Sequence, residues 1–357
     1  MASPLDFPQM WQKPSLDALL GTLAALELRP PAWGASSPSP PDQDQEHEPL
    51  ARKGDVTRYL STIVKSPLGW LDDDDDRERV WELASRRMSE RCGRTAMGEL
   101  VRRWPFAVGG TGAAASAESF ELSVREPALT GDSLGLKTWA SSYLLARHLP
   151  RLGASSLFRL FDESLGQPAP RVLELGSGTG LLGLAAAALW KVSVALSDLP
   201  HIVPNLKHNV DANAALVRAR GGELAVGPLT WGASDDDGGG DGVDQALYGE
   251  PFQFKIILAA DPLYDDDHPG LLASTIGRHL ALDPNARAVV MVPQRDAATA
   301  RLLEAFKQAM LDLEAPLLCD DEDELAGQDD WVDDDDAGAV RCWLGVFSRG
   351  GTPASFC

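Results

Sequence analysis

A run of glycines in the middle of the chain is the first feature whose residue types and spacing could do chemistry. Gly176-Ser177-Gly178-Thr179-Gly180 follows an apolar segment that predicts a β-strand and precedes an apolar segment that predicts a helix. Glycines let the backbone approach a ligand closely, and a helix N-terminus offers unpaired N–H groups. The arrangement therefore predicts a small-molecule site. Two other interpretations stay open: residues 178–183 match the dinucleotide pattern G-x-G-x-x-G, and a glycine turn can serve packing alone.

Two aspartates stand at the ends of other predicted strands. Asp198 closes the strand that begins near residue 192, and Asp261 follows the strand 255–260. The carboxyl ends of strands in an open parallel sheet form its ligand-binding edge. A carboxylate at Asp198 could accept hydrogen bonds from both hydroxyls of a ribose. As alternatives, Asp198 is a helix cap or a turn residue, and Asp261-Pro262 is a capped turn.

The elements that must hold these residues alternate along the second half of the chain. Strands are predicted at residues 171–175, 192–196, 223–226, 255–260, 287–292 and 341–347. Helices are predicted between them at residues 181–190, 202–215, 270–280 and 297–313. This alternation predicts an α/β fold with a parallel sheet and crossover helices. Apolar spacing predicts further helices near the N-terminus, within residues 16–28, 55–64 and 76–91.

The glycine run resembles a known loop when it is taken together with the acid before it. The string Glu174 to Gly180 looks like the E/D-x-G-x-G-x-G loop of class I methyltransferases, which bind S-adenosylmethionine. The acid two residues before the first glycine distinguishes this loop from the dinucleotide pattern.

Further motifs resemble the seven-β-strand protein lysine methyltransferases over roughly residues 135–347. Residues 228–232 look like the L-x-W-G segment of that family, residues 260–264 like its A-D-x-x-Y motif, and Thr138-Trp139 like its upstream tryptophan. Residues 260–269 are most similar to the fungal enzymes that methylate translation elongation factor 2. Similarities at residues 81–85 and 91–97 extend the resemblance to about residue 55.

The resemblance implies a doubly wound, seven-stranded Rossmann-like sheet with an N-terminal helical extension. We expect residues 1–54 to be a flexible segment and linker, 55–130 a mainly helical extension, and 131–357 the methyltransferase domain. Two acidic stretches, 234–250 and 320–336, depart from the family layout and are expected to be loop insertions.

The resemblance also implies roles for individual residues. The cofactor S-adenosylmethionine is expected to contact Trp139, Glu174, Gly176, Ser177, Gly178, Asp198, Trp231 and Ala260. An indole face suits a flat purine, and a small residue at a strand end lets a ligand approach. Core packing is the alternative for both tryptophans, since the chain has ten.

Two residues of the A-D-x-x-Y motif are expected to act on the substrate. A target lysine must arrive unprotonated, although its ordinary pKa is about 10.4. We expect Asp261 to orient the amine by hydrogen bonding and Tyr264 to line the substrate channel. Neither needs to be a strong base, because methyl transfer depends mainly on positioning and desolvation.

Composition limits the partners. Lys and Arg total 32 and Asp and Glu total 53, giving a formal net charge of −21, which argues against a nucleic acid partner. Four scattered cysteines without a C-x-x-C pair predict no metal site. No apolar stretch is long enough for a membrane span. We expect a cytoplasmic monomer that acts on a protein substrate, elongation factor 2.

Rival functions stay open at this point. Asp261-Pro262-Leu263-Tyr264 differs by one residue from the D-P-P-Y motif of enzymes that methylate the exocyclic amines of bases, so an RNA amino-methyltransferase is one alternative. A binding module that kept the fold without catalysis is another. An NAD(P)-dependent oxidoreductase is a third, although the chain has no Tyr-x-x-x-Lys motif to support it.

Overall fold

The computed structural model describes residues 7–27, 53–91, 98–106, 119–128, 134–232, 242–328 and 339–350. Contacts divide the chain into two units. Unit 1 comprises residues 1–100 and 127–132, and unit 2 comprises residues 101–126 and 133–357. In the described ranges, no helix combines the length and the apolar character that crossing a membrane requires.

Unit 1 is built on three helices, α1 (Leu16–Ala25), α2 (Lys53–Lys65) and α3 (Asp74–Ser89). The Ser15 side chain caps α1 and the Asp73 side chain caps α3, each by accepting a hydrogen bond from a first-turn N–H group. Their apolar faces form one core, in which Leu19, Leu23, Leu60, Ile63, Leu68, Val80 and Ala84 are fully buried.

The expected domain boundaries need correction. Residues 7–27 are part of the core of unit 1 rather than a flexible segment: Trp70 Nε1 donates to Pro14 O at 2.8 Å, and Arg87 Nε donates to Leu23 O at 2.9 Å. Residues 28–52, the predicted linker, lie outside the described residues. The expected extension 55–130 is also divided, because residues 101–126 group with unit 2.

Two seven-residue strands, β1 (Leu100–Phe106) and β2 (Phe120–Glu126), form a two-stranded sheet of their own, and all of their residues except Leu100 belong to unit 2. Its other strands are β3 (Val172–Leu175), β4 (Ser193–Asp198), β5 (Glu223–Pro228), β6 (Ile256–Ala260), β7 (Arg287–Pro293), β8 (Leu317–Gln328) and β9 (Ala339–Arg349). Its helices are α4 (Ala140–Ala154), α5 (Phe158–Phe161), α6 (Leu181–Trp190), α7 (Val203–Ala219), α8 (Gln245–Tyr248), α9 (His268–His279) and α10 (Ala297–Leu311).

The large sheet has seven strands in the order β5-β4-β3-β6-β7-β9-β8, which confirms the predicted doubly wound α/β fold. Strands β5 to β7 in this order are parallel, whereas β9 pairs antiparallel with β7 and with β8. Within this sheet the chain forms β3 first and then adds β4 and β5 on one side of it. It then returns to form β6 on the other side of β3. The carboxyl ends of β3 and β6 therefore form a topological switch point, where open α/β sheets bind ligands.

The acidic stretch 320–336 is not a loop insertion in its described part. Residues 317–328 form the edge strand β8, which pairs along its length with β9. Its acidic side chains form ion pairs with basic residues of four other elements: Arg287–Asp320, Lys307–Glu322, Arg151–Asp323 and Arg341–Glu324. Charged side chains suit an edge strand because they discourage pairing with other chains. Residues 329–338 lie outside the described residues, as do 234–241 of the other expected insertion, whose residues 245–248 form α8.

Candidate active site

The glycine loop joins β3 to α6 at the switch point. Gly176, Gly178 and Gly180 have φ angles of 64°, 56° and 87°, a region that residues with a side chain seldom adopt. The loop is fixed to the neighbouring strand β4, because Ser177 N donates to Ser197 O at 2.9 Å and Ser197 N donates to Ser177 Oγ at 3.0 Å. The Ser177 hydroxyl is buried in these contacts, so its part in the loop is to hold the backbone in place.

Glu174 lies beneath the loop rather than on its open side. Its side chain is buried, and Oε2 accepts a hydrogen bond from Gly183 N, in the first turn of α6, at 3.1 Å. Burial raises the pKa of Glu174 to about 8, and hydrogen bonds from Ser177 and Gly183 offset only part of that rise. The cofactor contact expected at Glu174 stays a prediction, while the hydrogen bond to Gly183 N makes Glu174 a support for the loop and for the start of α6.

We expect Glu174 to make the stability of the protein depend on pH. Its pKa in the folded state is above its ordinary value, so its contribution to stability is largest below about pH 4.5 and is lost as the pH rises to about 8. Glu174→Gln cannot ionise and escapes this loss. At about 1.4 kcal/mol per pKa unit, the free energy of unfolding of the wild type should fall by several kcal/mol relative to the variant over this range. Denaturant titrations near both ends of the range measure the difference.

Glu223→Gln is the matched control, since Glu223 is an exposed glutamate at the start of β5. If the free energy of unfolding varied with pH in the same way for Glu174→Gln and Glu223→Gln, the raised pKa would not belong to Glu174.

Asp198 ends β4 and faces the glycine loop. Its Oδ2 accepts a hydrogen bond from Gly178 N at 2.7 Å, and its Oδ1 accepts one from Leu199 N at 2.7 Å. Burial raises the pKa of this carboxyl, and the two backbone donors work in the opposite direction. Each carboxylate oxygen keeps a second lone-pair direction, so ribose hydroxyls can still donate to it. The contact with Gly178 brings two of the predicted cofactor residues together.

Trp231 lies over the same loop, in the turn that follows β5. A methyl group added at Gly176 would lie 3.3 Å from Trp231 Cζ2. The Trp231 indole also packs edge to face against the His268 ring, with 5.6 Å between the ring centroids. The His268 ring packs in the same way against the Tyr264 ring, with a centroid distance of 4.3 Å. Tyr264 is exposed, as a channel-lining residue would be. The predictions did not include His268, whose position is fixed by its Nδ1 contact with Pro262 O at 2.9 Å.

Asp261 follows Ala260, the last residue of β6, and has an unusual backbone. Its φ angle is 58°, which is uncommon for a residue other than glycine and is found at functional sites more than elsewhere. Both carboxylate oxygens are bound by one guanidinium: Arg295 Nη1 donates to Oδ1 at 3.1 Å and Arg295 Nη2 donates to Oδ2 at 2.6 Å. The same guanidinium lies 5.0 Å from the centroid of the Trp139 ring. Arg295 was not among the predicted site residues, yet it contacts two of them.

The small sheet is tied to the site through asparagines of α7, which were also missed. Asn209 Oδ1 accepts from Arg125 N at 2.8 Å, and Asn209 Nδ2 donates to Arg125 O at 3.0 Å. Asn213 makes the same pair of bonds with Ser123, at 3.0 and 2.8 Å. Four residues along a helix and two residues along a strand both span about 6 Å. Asparagines four residues apart on α7 can therefore bind the backbone of alternate residues of β2. The regular spacing of Asn205, Asn209 and Asn213 was the available signal.

One of these asparagines also holds the glycine loop, because Asn209 Nδ2 donates to Thr179 O at 2.9 Å. We expect Asn209→Ala and Asn213→Ala each to destabilise the protein by about 2–4 kcal/mol, since each removes the hydrogen bonds between its side-chain amide and the backbone of β2. Only Asn209→Ala releases Thr179, so it alone should weaken S-adenosylmethionine binding, by about five- to tenfold. Chemical denaturation and calorimetric titration measure the two effects. Equal affinities for the two variants would show that this link does not reach the cofactor.

Known proteins resemble the chain in the region that carries this site. A family model described as lysine methyltransferase matches residues 116–309, more than half of the chain. Protein-lysine N-methyltransferase EFM2 of Saccharomyces cerevisiae is 34% identical over 272 residues, covering 73% of this chain and 58% of EFM2. Protein-lysine N-methyltransferase rrg1 of Schizosaccharomyces pombe is 30% identical over 228 residues, covering 64% of this chain and 66% of that protein.

The chain thus spans less than two thirds of the length of either relative. Among solved structures, a TehB-like SAM-dependent methyltransferase from Corynebacterium glutamicum is 18% identical and matches 58% of this chain and 98% of its own, with a TM-score of 0.32. That likeness is too distant to bear on function. The family model, by contrast, covers the glycine loop, both site aspartates and Arg295. The chain belongs to the lysine methyltransferase family.

Proposed function

We propose that the protein transfers a methyl group from S-adenosylmethionine to the side-chain amine of a lysine in a protein substrate. The observation that carries the proposal is the meeting of a glycine loop and two carboxylates at one switch point. Gly178 contacts the Asp198 carboxylate directly, and Asp261 stands at the end of β6, which pairs with β3. Membership of the lysine methyltransferase family supports the same reaction.

The residues of the site suit S-adenosylmethionine. Side chains at Gly176 and Gly178 would fill the space beside the loop, since added methyl groups would lie 3.3 Å from Trp231 and 3.1 Å from Gly135 O. Asp198 offers a carboxylate for the ribose, and the Trp231 and Trp139 indoles offer flat faces for the purine or the cation. When bound, the cofactor supplies an electrophilic methyl group on a positively charged sulfur.

The chain's own part in the reaction is to place the amine and to keep it uncharged. A protonated lysine has no lone pair with which to attack a methyl carbon. Asp261 would accept a hydrogen bond from the amine and aim the lone pair, while exposed Tyr264 and half-buried His268 would line the approach and exclude water. The proton that leaves the nitrogen after methylation can pass to solvent, so the site needs no strong base.

For the substrate and place of action, we propose translation elongation factor 2 in the cytoplasm. The resemblance of residues 260–269 to the enzymes that methylate this factor supports the choice. The acidic net charge also suits a protein substrate better than a nucleic acid.

The RNA alternative receives no support from the position of Leu263. In a D-P-P-Y enzyme the prolines and the tyrosine hold a flipped base by stacking. Leu263 is instead buried in the hydrophobic core of the sheet, at 2% exposure. A residue so placed offers no surface for stacking a base.

Methyl-labelled S-adenosylmethionine and a lysate from a strain without this enzyme would test the proposal. We expect a single labelled, protease-sensitive product of the size of elongation factor 2, with the label on lysine after hydrolysis. Asp198→Ala is the inactive control. Label that survives protease and disappears with RNase would replace the proposal with the RNA alternative, and label on a different protein would correct the substrate alone.

A further inference from the structure

Arg295 is a basic residue in direct contact with the Asp261 carboxylate of the candidate site. It lies between the end of β7 at Pro293 and the start of α10, whose N-cap is Asp296. Its guanidinium makes a two-pronged contact with the Asp261 carboxylate, at 3.1 and 2.6 Å. The Asp261 side chain is only 6% exposed and that of Arg295 33% exposed, so the pair is only partly open to solvent. In such a place each charge acts strongly on a third charge nearby.

An unbalanced carboxylate at this position would work against the reaction. A lysine amine has an ordinary pKa of about 10.4, and a nearby negative charge raises it further by favouring the ammonium form. The ammonium form cannot attack the methyl group. A positive charge beside the carboxylate has the opposite influence on the amine.

We propose that Arg295 is a positioning and charge-balancing residue. It fixes the Asp261 carboxylate in one orientation and offsets its charge, so that the carboxylate can orient an incoming lysine amine without holding it in the protonated form. The guanidinium also lies over the Trp139 ring, 5.0 Å from its centroid, which restricts the orientation of the guanidinium. This inference rests on the proposed function and adds to it a residue on which the pH dependence of the reaction depends.

Other charged or titratable side chains surround the pair and must be considered with it: Asp198 at the end of β4, Tyr264 and Asp265 after β6, His268 at the start of α9, Asp296 before α10, and Lys137 beside Trp139. Partial desolvation of its hydroxyl and the neighbouring aspartates raise the pKa of Tyr264, so this residue stays neutral in the range of the assay although its ring is exposed. All of these groups are the same in the wild type and in Arg295 variants. The difference between their pH profiles therefore isolates the guanidinium.

The test measures kcat against pH, from about pH 6.5 to 9.5, for the wild type, Arg295→Gln and Arg295→Lys with saturating substrate and cofactor. For Arg295→Gln we expect the pH at which kcat rises to increase by about one unit. Its kcat should be about tenfold below that of the wild type near neutral pH, and this difference should shrink under alkaline conditions. Arg295→Lys keeps the positive charge but loses the two-pronged contact with Asp261. We therefore expect its kcat to rise at nearly the same pH as that of the wild type but to be lower at every pH. Calorimetry should give cofactor affinities within about twofold for all three.

Three results would each overturn the inference. An equal loss at every pH for Arg295→Gln would mean that Arg295 only supports the structure. Faster turnover would mean that Arg295 blocks the amine site. A large loss of cofactor affinity would mean that the guanidinium binds S-adenosylmethionine itself. Absence of lysine methylation by the wild type would instead refute the proposed function, so the two failures are distinguishable.

Discussion

Asp198→Ala should bind S-adenosylmethionine about 100-fold more weakly than the wild type. The carboxylate is expected to accept hydrogen bonds from two ribose hydroxyls, and a hydrogen bond to a charged group contributes about 1.5–3 kcal/mol. The substitution also removes the acceptor of the 2.7 Å bond from Gly178 N, so the loop loses an anchor at the same time. Isothermal titration calorimetry with the purified full chain measures the affinity directly.

Asp211→Ala is the matched control, since Asp211 is an exposed aspartate of α7 whose ion pair with Lys207 lies on the helix surface. It should bind the cofactor like the wild type. Asp198→Asn should give an intermediate affinity, because the amide keeps one acceptor oxygen but loses the charge. Unchanged affinity in a folded Asp198→Ala protein would remove Asp198 from the cofactor site and leave it as a cap for the loop.

The parts of the fold that could be predicted are those with strong local signals. The apolar strand, glycine run and apolar helix around residues 171–190 are contiguous, and their geometry follows from short-range rules. The same holds for the alternation of strands and helices, which predicted the five parallel strands of the large sheet. Asp198 and Asp261 could be placed at one edge because the carboxyl ends of parallel strands meet there.

The parts that could not be predicted depend on contacts between distant residues or on context. Arg295 is 34 positions from Asp261, and nothing in its neighbourhood marks it as a partner. Glu174 belongs to the loop motif, yet whether its side chain points to the ligand or beneath the helix is decided by packing. Strand β8 reads as a solvated acidic loop, because its stability comes from pairing with β9 and from ion pairs with other elements.

Part of the negative charge of the chain is paired with its own basic side chains. The five acidic residues at 320–324 contribute to the net charge of −21, but several of them are paired with the chain's own basic side chains. The same is true of Asp261 in the site. Net charge therefore overstates the negative potential that an approaching lysine would meet at Asp261, where Arg295 is already in contact.

Asp261→Asn should separate turnover from cofactor binding. Asparagine tolerates the φ angle of 58° that Asp261 adopts, so the backbone at the end of β6 is preserved, whereas alanine would add strain. The substitution removes the charge and one acceptor oxygen, and the amide no longer matches the guanidinium of Arg295. We expect kcat to fall by about 100-fold, as when a reacting group loses its orientation. The cofactor affinity should stay within about twofold of the wild type.

Single-turnover methylation measures the chemical step, and calorimetry on the same preparation measures the affinity. Asp265→Asn is the matched control: Asp265 is an exposed aspartate four residues further on, and this variant should keep both quantities. A parallel loss of kcat and cofactor affinity in Asp261→Asn would make Asp261 a structural residue and remove the basis for the role of Arg295. A loss confined to kcat, together with the alkaline shift expected for Arg295→Gln, would mean that the two residues work as one unit. The carboxylate would then orient the amine, and the guanidinium would keep that carboxylate from stabilising the unreactive ammonium.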